Sequence, residues 1–543
     1  MLSSCVMDDP IDFSPADVLI IGAGASGGTV AWNLAETKMR IVCLEQGDWT
    51  KPSEYPSTGR DWETRAQTDF SINPNKRRNP GDYPVNDDDS PIKIANFNGV
   101  GGGTILYAGH YPRFHPSDFS VKSLDGVADD WPIDYNTLEP FYAENDRMTG
   151  VSGLSGDPAY PAKQSVMPPL PMGKSGQKLA QGFNKLGWHW WPSDSAIATQ
   201  PYAGRDQCIN LGDCVHGCAQ GAKASTDITY WPEAIRAGVE LRTKCRVKEI
   251  TVDDSGMAAG VVYFDEDDVE QFQPAHVVIM ACNGVGTPRI LLNSCSPQFP
   301  TGLANSSDLV GRNLMLHPYA SIQGIFEDEL DGYRGPHDSI WSQEFYETEQ
   351  TRGFVRGYTY EFSRGRGPVA TALTGVHSGR IPWGAGHHAA YRKLHNRIAG
   401  MVSICEDLPE EHNTVTLDPV LKDAHGIPAP KMTYTISENS EKMLDYSVER
   451  ASEALQAAGA TDLIIESPLA VGGWHLMGTA RMGADPQRSV VNAWGRAHDV
   501  RNLFIVDGSV FVTSAGVNPT RTIQTLALYI TDQIKKRLTN LFD

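Results

Sequence analysis

The sequence predicts an α/β fold in which a Rossmann-type dinucleotide-binding domain is interrupted by a second domain built on an antiparallel sheet. Near the N-terminus, an apolar run at 17–21 is followed by a glycine motif, a helical stretch and a second apolar run at 40–44. Two more runs typical of buried strands come much later, at 276–282 and 502–507. The chain is therefore expected to leave the first sheet and to return to it.

The middle of the chain differs in character from both ends. Residues 320–455 are rich in aromatic and charged side chains, and they contain alternating segments of the kind that form half-buried antiparallel strands. We expect one discontinuous domain from 14–319 and 456–543, with excursions at about 50–95 and 150–200. The stretch 320–455 then forms the inserted domain.

Charge excludes some classes of partner. The 543 residues include 46 Lys and Arg against 66 Asp and Glu, a net charge of −20. A nucleic-acid-binding protein needs a basic face, so no nucleic-acid partner is expected, and docking on anionic lipid is disfavoured. No stretch is apolar for long enough to predict a membrane span. Residues 1–16 lack a basic start and an apolar run, so no signal peptide is predicted and the default location is the cytoplasm.

The N-terminal glycine motif carries the dinucleotide prediction. Gly22 permits the tight turn after the first strand, Gly24 lets the backbone approach a pyrophosphate, and Gly27 lets the helix pack closely on the strand. The start of the following helix offers unpaired N–H groups to phosphate. Glu45 ends the second strand, where it can accept hydrogen bonds from ribose hydroxyls.

Five segments in a fixed order resemble the glucose–methanol–choline (GMC) oxidoreductases, and the likeness covers nearly the whole chain. The segments are 22–27 with Glu45, 98–104, 281–288, 473–483, and 507–520. The resemblance implies a Rossmann-type FAD-binding domain with an inserted antiparallel-sheet substrate domain, as in p-hydroxybenzoate hydroxylase-like architectures. Within the family the chain is similar to sugar and glycoside dehydrogenases or oxidases, including glycoside 3-dehydrogenase-like and pyranose oxidase-like members.

The resemblance also assigns the cofactor site. The 98–104 loop would pass beside the flavin, the backbone of Val247 would contact the adenine, and Asp507 with Gly508 would close over the pyrophosphate and ribityl chain. Some sugar oxidases of the family attach FAD through a His in the glycine loop; here 103–107 contains none, so non-covalent FAD is expected. The predicted cofactor residues are Gly22, Gly24, Ala25, Ser26, Gly27, Glu45, Gln46, Asn98, Gly101, Gly102, Thr104, Val247, Asp507, Gly508, Asn518 and Thr520.

Two residues are expected to carry the chemistry. His475 matches the catalytic His of the family, and a neutral imidazole suits removal of an alcohol proton while hydride leaves for the flavin. Asn518 matches its partner, which is His in some members. Because an amide cannot take up the proton, His475 is predicted as the general base and Asn518 as a hydrogen-bonding group for the substrate oxygen.

Three cysteines lie close together in sequence, at Cys208, Cys214 and Cys218. Their spacing resembles the 3Fe–4S site of membrane-associated bacterial sugar dehydrogenases in the family, although a further adjacent Cys of those enzymes is missing here. Structural thiols and a zinc site completed by His216 are the alternatives. An iron–sulfur cluster would favour one-electron transfer to a cytochrome. Without it, oxygen or a quinone could be the acceptor.

The expected function is FAD-dependent oxidation of a secondary hydroxyl of a sugar or glycoside to a ketone, as in members that act on the third ring carbon. A dehydrogenase is favoured over an oxygen-using alcohol or pyranose oxidase. A redox-silent FAD lyase of the same family is a further alternative. Exported members can travel with a signal-bearing small subunit, so a small escort subunit and a periplasmic location, with a cytochrome c or quinone as acceptor, stay open.

Overall fold

The structure, a computed structural model, describes residues 12–337 and 339–542. Residues 1–11, on which much of the signal-peptide prediction depends, lie outside this range. In chain order the strands are β1 Ala16–Ile21, β2 Ile41–Leu44, β3 Asn86–Asp89, β4 Trp191–Pro192, β5 Glu240–Arg242, β6 Arg246–Val252, β7 Ala258–Phe264, β8 Glu270–Met280, β9 Tyr319–Ile325, β10 Ile340–Ser342, β11 Tyr358–Ser363, β12 Ile398–Cys405, β13 Thr414–Lys422, β14 Pro428–Thr433, β15 Asp462–Glu466 and β16 Leu503–Ile505.

The α-helices connect and cover these strands. In chain order they are α1 Ala25–Ala35, α2 Trp62–Gln67, α3 Pro74–Arg77, α4 Val121–Asp125, α5 Tyr135–Thr149, α6 Gly173–Leu186, α7 Tyr230–Arg236, α8 Asn283–Asn293, α9 Pro368–His377, α10 His387–Leu394, α11 Glu438–Ala457 and α12 Thr520–Lys536. Within the described part of the chain, no helix combines the length and apolar character that crossing a membrane requires.

A seven-stranded sheet combines strands from the N-terminal and C-terminal parts of the described chain. Strands β5, β2, β1, β8 and β16 run parallel, and β7 and β6 extend the sheet antiparallel from β8. Alternate residues of β1 face two cores. Ile20 packs with α1 and α12, whereas Leu19 packs with residues of β6 and β7. Burial on both faces explains the continuous apolar run in the sequence, and the predicted Rossmann-type α/β fold is confirmed.

A six-stranded antiparallel sheet forms the second layer, with the strand order β15-β9-β12-β11-β10-β4. Phe183 of α6 and Leu455 of α11 pack on Ile322 and Met401 of this sheet. The antiparallel sheet predicted for the middle of the chain is therefore present. It also takes β4 and β15 from outside 320–455.

A three-stranded sheet lies apart from both. β13 pairs antiparallel with β14, and β14 pairs parallel with β3, which belongs to the excursion predicted at about 50–95. The excursion is thus tied to the middle of the chain by backbone hydrogen bonds. The boundaries at 319/320 and 455/456 stay a prediction.

A buried ion network fixes the start of α12. The Arg521 side chain is 2% exposed and donates to Asp146 (2.6 Å), to Asp194 (2.7 Å) and to the Tyr111 carbonyl (2.6 Å). A buried guanidinium is tolerated only when its donors are paired in this way. Arg521 follows the 518–520 turn directly, so the network also positions that turn.

Candidate active site

Two glycine-containing loops meet at the carboxyl end of β1. Gly22 has φ +99°, and a Cβ there would lie 2.6 Å from the Ala281 carbonyl oxygen. Gly102, in the predicted flavin loop, has φ +49°, and its Cβ would lie 2.7 Å from Gly24 Cα. The Gly101 N–H donates to the Ala23 carbonyl at 2.9 Å. Side chains at these positions would separate the loops, so the glycines allow the backbone of both to lie at the wall of one cavity.

That cavity has a volume of about 540 Å³, within the range typical of ligand sites. One end lies at the carboxyl edge of the parallel sheet, and the other lies against β9, β11 and β12. All the predicted cofactor and catalytic residues line it except Gly27 and Gly101. Gly27 packs directly against the Gly22 carbonyl, and any side chain at this position would overlap that carbonyl.

Glu45 lies at the dinucleotide end and is 5% exposed. Its two carboxylate oxygens accept from the backbone N–H groups of Ala23 and Gly47, each at 2.8 Å. Burial raises the pKa of this carboxyl. Each oxygen retains a further acceptor lone pair for a ribose hydroxyl. Glu45 therefore also holds the glycine turn in place, which the sequence did not indicate.

Asp507 connects three segments at the middle of the cavity. It accepts from Cys282 N (2.8 Å), Thr287 Oγ1 (2.6 Å) and Ser509 N (2.9 Å). Gly508 lies against Leu476, whose carbonyl oxygen would be 2.7 Å from an added Cβ. The carboxylate thus fixes the loop after β16, and the absence of a side chain on Gly508 keeps the wall open.

Unpaired buried polar atoms on residues of the cavity wall fit a polar cofactor. Both amide atoms of Asn96 and Oδ1 of Asn518 are buried, and they have no hydrogen-bond partner among the described residues. Leaving such atoms unpaired costs about 1–3 kcal/mol each, and a ligand rich in donors and acceptors removes that cost. With the glycine-lined wall and Glu45, these atoms match the polar groups of FAD.

His475 is buried at the other end of the cavity, and its surroundings select one tautomer. His475 Nδ1 lies 2.8 Å from His317 Nδ1, and His317 Nε2 faces the Ala515 carbonyl at 2.6 Å. A carbonyl only accepts, so His317 Nε2 carries the hydrogen and its Nδ1 is the acceptor. His475 Nδ1 must then donate. Nε2 of His475 is left with the lone pair that a general base needs.

Electrostatics keep both imidazoles neutral. Burial, together with His317, lowers the pKa of His475 well below its ordinary value, and burial lowers the pKa of His317 to about 4. Tyr319 completes the arrangement: its hydroxyl oxygen is 3.0 Å from His475 Nδ1 and accepts from Trp474 Nε1 at 2.9 Å. The ring of His475 is therefore held on one edge by two other side chains.

Several cavity residues were not found by sequence reasoning. Tyr319, Glu361, His110 and His337 line the cavity, and His317 contacts His475 without lining it. Each belongs to a different stretch from His475; His317, for example, is 158 positions away. The only local signal is the alternation along β11, which puts Glu361 and Ser363 on the same face.

The three cysteines do not form a metal site here. Cys214 packs with Leu170 and Ile197, and Cys208 lies against the same cluster. Cys218 is half-buried and follows Gly217, which contacts the Tyr55 ring. His216, the suggested fourth zinc ligand, has Nδ1 2.7 Å from Asp213 Oδ1. Among the described residues, no group of three or more His, Cys, Asp or Glu side chains could hold a metal ion. The cluster prediction does not fit this arrangement, and no electron-transfer step is derived from it.

Several known proteins are similar to this chain in sequence. The chain is 41% identical over 540 residues to 2-methyl-1,2-propanediol dehydrogenase of Mycolicibacterium austroafricanum, covering 97% of this chain and 96% of the relative. It is 31% identical to 6'''-hydroxyparomomycin C oxidase of Streptomyces lividus (96% and 92% covered) and 29% identical to the fructose dehydrogenase large subunit of Gluconobacter japonicus (96% and 97%).

A solved structure and two family models also match this chain. The crystal structure of pyridoxine 4-oxidase from Mesorbium loti matches with a TM-score of 0.65 at 16% identity, covering 96% of this chain and 99% of that one, which shows the shared fold. The N-terminal GMC oxidoreductase model matches residues 16–319 and the C-terminal model matches 409–527. The chain therefore belongs to the GMC oxidoreductase family and is an FAD-dependent oxidoreductase acting on CH–OH groups.

Proposed function

We propose that this enzyme oxidises one hydroxyl of a compound that carries several, and that His475 is the general base. The observation that carries the proposal is the fixed tautomer of His475, whose Nδ1 faces the acceptor nitrogen of His317 at 2.8 Å. The first candidate substrate is a sugar or glycoside with a secondary hydroxyl, which becomes a ketone. The second is a small 1,2-diol, favoured by 41% identity to a diol dehydrogenase.

The proton and the hydride leave the substrate in different directions. When bound, FAD supplies the acceptor for the hydride from the carbinol carbon. His475 Nε2 takes the hydroxyl proton, and the carbon–oxygen single bond becomes the double bond of the carbonyl product. A positioned base typically contributes about 10²–10⁴-fold to the rate. His317 supports the imidazolium that results, because its Nδ1 lone pair remains hydrogen-bonded to the Nδ1–H of His475.

Asn518 is proposed to orient the substrate. It lines the cavity, follows the loop that Asp507 fixes, and precedes the turn anchored by Arg521. Its buried Oδ1 has no partner among the described residues and can accept from a substrate hydroxyl. Its amide nitrogen can donate to the oxygen on which negative charge develops as the proton leaves.

We further propose that the enzyme is a dehydrogenase with a quinone or cytochrome c as its acceptor. Similarity to two dehydrogenases supports the choice of a dehydrogenase: one relative is a dehydrogenase large subunit, and another is the gluconate 2-dehydrogenase flavoprotein of Pantoea cypripedii. A small escort subunit, with export to the periplasm, is part of the same proposal, and a cytoplasmic location is the alternative. Purification of the enzyme with its native partners would test the acceptor and the escort subunit. Measurement of bound iron would test the 3Fe–4S alternative.

Anaerobic flavin reduction tests the proposed function. The FAD-loaded protein is mixed with glucose, a methyl glycoside or 1,2-propanediol, and the flavin absorbance is followed. Bleaching by at least one of these compounds is expected. Bleaching by the sugars but not the diol would select the first candidate, and the reverse result the second. Flavin that stays oxidised with every alcohol would contradict the proposal and favour the redox-silent lyase.

A further inference from the structure

A carboxylate and three imidazoles line the end of the cavity that lies against the six-stranded sheet. Glu361, on β11, is 4% exposed, and its Oε2 is 3.4 Å from His110 Nε2. His216 and His337 line the same end. Neither the proposed base nor the cofactor residues include any of these groups, and no group of three or more such side chains in the described part of the chain could hold a metal ion.

The imidazoles at this end are uncharged hydrogen-bonding groups. Burial lowers the pKa of His110 to about 3, and burial with Arg364 lowers the pKa of His337 well below its ordinary value. His110 Nδ1 is buried and has no partner among the described residues. Arg364 Nε donates to His337 Nε2 at 3.3 Å, so the hydrogen of His337 is on Nδ1. The end of the cavity therefore offers both donors and acceptors.

Glu361 is also adjacent to the reacting centre. Glu361 of β11 pairs with Val402 of β12, and Val402 pairs with Ser321 of β9, so Glu361 and Tyr319 lie on the same face of the sheet. The Tyr319 hydroxyl is in turn 3.0 Å from His475 Nδ1. Glu361, Tyr319 and His475 therefore line one part of the same cavity.

We propose that Glu361 and His110 form a subsite for a second hydroxyl of the substrate, which makes the enzyme selective for neutral polyhydroxyl compounds over alcohols with a single hydroxyl. This inference rests on the proposed function. The Glu361 carboxylate accepts the hydrogen of the second hydroxyl, and the His110 ring lies beside it, with Nε2 3.4 Å from Glu361 Oε2. A hydrogen bond to a carboxylate inside a low-dielectric cavity is stronger than one between neutral groups.

Paired substrates measure this selectivity. In the wild type, kcat/KM for 1,2-propanediol should exceed that for 1-propanol by about 10- to 100-fold, the range expected for a hydrogen bond to a charged group. In Glu361→Leu, the diol should lose that advantage, while kcat/KM for 1-propanol stays within about threefold, since only the contact to the second hydroxyl is removed. Glu466→Gln, on β15 of the same sheet but outside this cavity, should leave both values unchanged.

Two outcomes would overturn the inference. Equal losses of kcat/KM for 1,2-propanediol and 1-propanol in Glu361→Leu would mean that Glu361 takes part in the chemistry itself. Unchanged selectivity would mean that no second hydroxyl is bound there. Retained FAD and an unaltered Tm identify variants that are folded. If Glu361→Leu fails to fold, Glu361→Gln replaces it, with a smaller loss of selectivity expected because one acceptor oxygen remains.

A binding measurement separates this inference from the proposed function. Pinacol has two tertiary hydroxyls and 2,3-dimethylbutan-2-ol has one; neither carries a hydrogen on its carbinol carbons, so neither can lose hydride. Titration monitored by the flavin spectrum should give a Kd about 10-fold lower for pinacol, and Glu361→Leu should abolish the difference. Equal Kd values in the wild type would overturn the subsite even if alcohols reduce the flavin. A preference for 1-amino-2-propanol over 1,2-propanediol would overturn it in favour of a cation subsite.

Discussion

The two ends of the cavity are built in different ways. At the dinucleotide end, the wall is backbone: Gly22, Gly24 and Gly102 bring two loops within van der Waals contact. At the substrate end, the wall is side chains from separate strands and loops, with His475 held by His317 and Tyr319. A backbone surface requires glycines at short spacing, which a sequence displays. A side-chain constellation is assembled only when distant segments fold together.

The largest expected effect is at the substrate end. His475→Ala should slow anaerobic flavin reduction by about 10²–10⁴-fold, because the group that takes the hydroxyl proton is removed. FAD content should not change, since the cofactor is held from the other end. His388→Ala, at an exposed His of α10, is the matched control. A reduction rate within tenfold of the wild type would show that His475 is not the base.

At the dinucleotide end, the expected effect is on cofactor binding. Gly102→Ala puts a Cβ 2.7 Å from Gly24 Cα at a positive φ, and overpacking of about 1–3 kcal/mol corresponds to a roughly 5- to 150-fold rise in the Kd for FAD. Gly126 is the control, because it also has a positive φ, its Cβ would have nothing within 4 Å, and it does not line the cavity. If Gly126→Ala weakens FAD binding as much as Gly102→Ala, the close approach of the loops is not what matters.

His317 affects the base only through its hydrogen bond. His317→Phe removes the acceptor for His475 Nδ1–H, so either nitrogen of His475 can carry the hydrogen and only part of the population is competent. We expect flavin reduction to slow by about 10-fold, less than for His475→Ala. His317→Gln, whose side-chain oxygen can accept the same hydrogen, should recover part of the rate. Equal rates for the Phe and Gln variants would contradict the tautomer argument.

The smallest effect is on the pH profile. Because burial and His317 lower the pKa of His475, the base is already deprotonated at neutral pH, and the rate should be flat there and fall only on acidification below about 6.5. In His317→Gln the inflection should move slightly upward, since burial, the larger cause, remains. Flavin reduction measured from acid to neutral pH tests this. An inflection at or above pH 7 in the wild type would contradict it.

The sequence predicted the fold class, and it singled out residues that line the glycine-walled end of the cavity, for physical reasons. The run at 17–21, buried on both faces, and the glycines at 22–27 describe local backbone geometry. The substrate end was predicted only at His475 and Asn518, through family motifs. His317 was missed because its partners are His475, 158 positions away, and the Ala515 carbonyl, 198 positions away. No spacing rule connects such residues.

The cysteine segment shows the converse case, in which residues close in sequence do not form a site together. The spacing of Cys208, Cys214 and Cys218 resembles a ligand set, and the sequence left iron–sulfur, structural thiol and zinc alternatives open. The fold puts Cys214 among Leu170 and Ile197, while neighbouring Val215 and His216 line the cavity wall. Spacing along the chain therefore did not reveal which side chains turn toward one another. The segment contributes to the cavity wall, and its described side chains do not form a set of metal ligands.

A crystal structure with FAD and pinacol tests the central claim, that one cavity holds the cofactor at one end and a polyhydroxyl compound beside His475 at the other. The account predicts adenine near Val247 and the flavin ring near Asn518 and His475. One pinacol hydroxyl should lie about 3 Å from His475 Nε2, and the second should lie within hydrogen-bond distance of Glu361. A reversed cofactor, or a diol that contacts neither residue, would contradict the account.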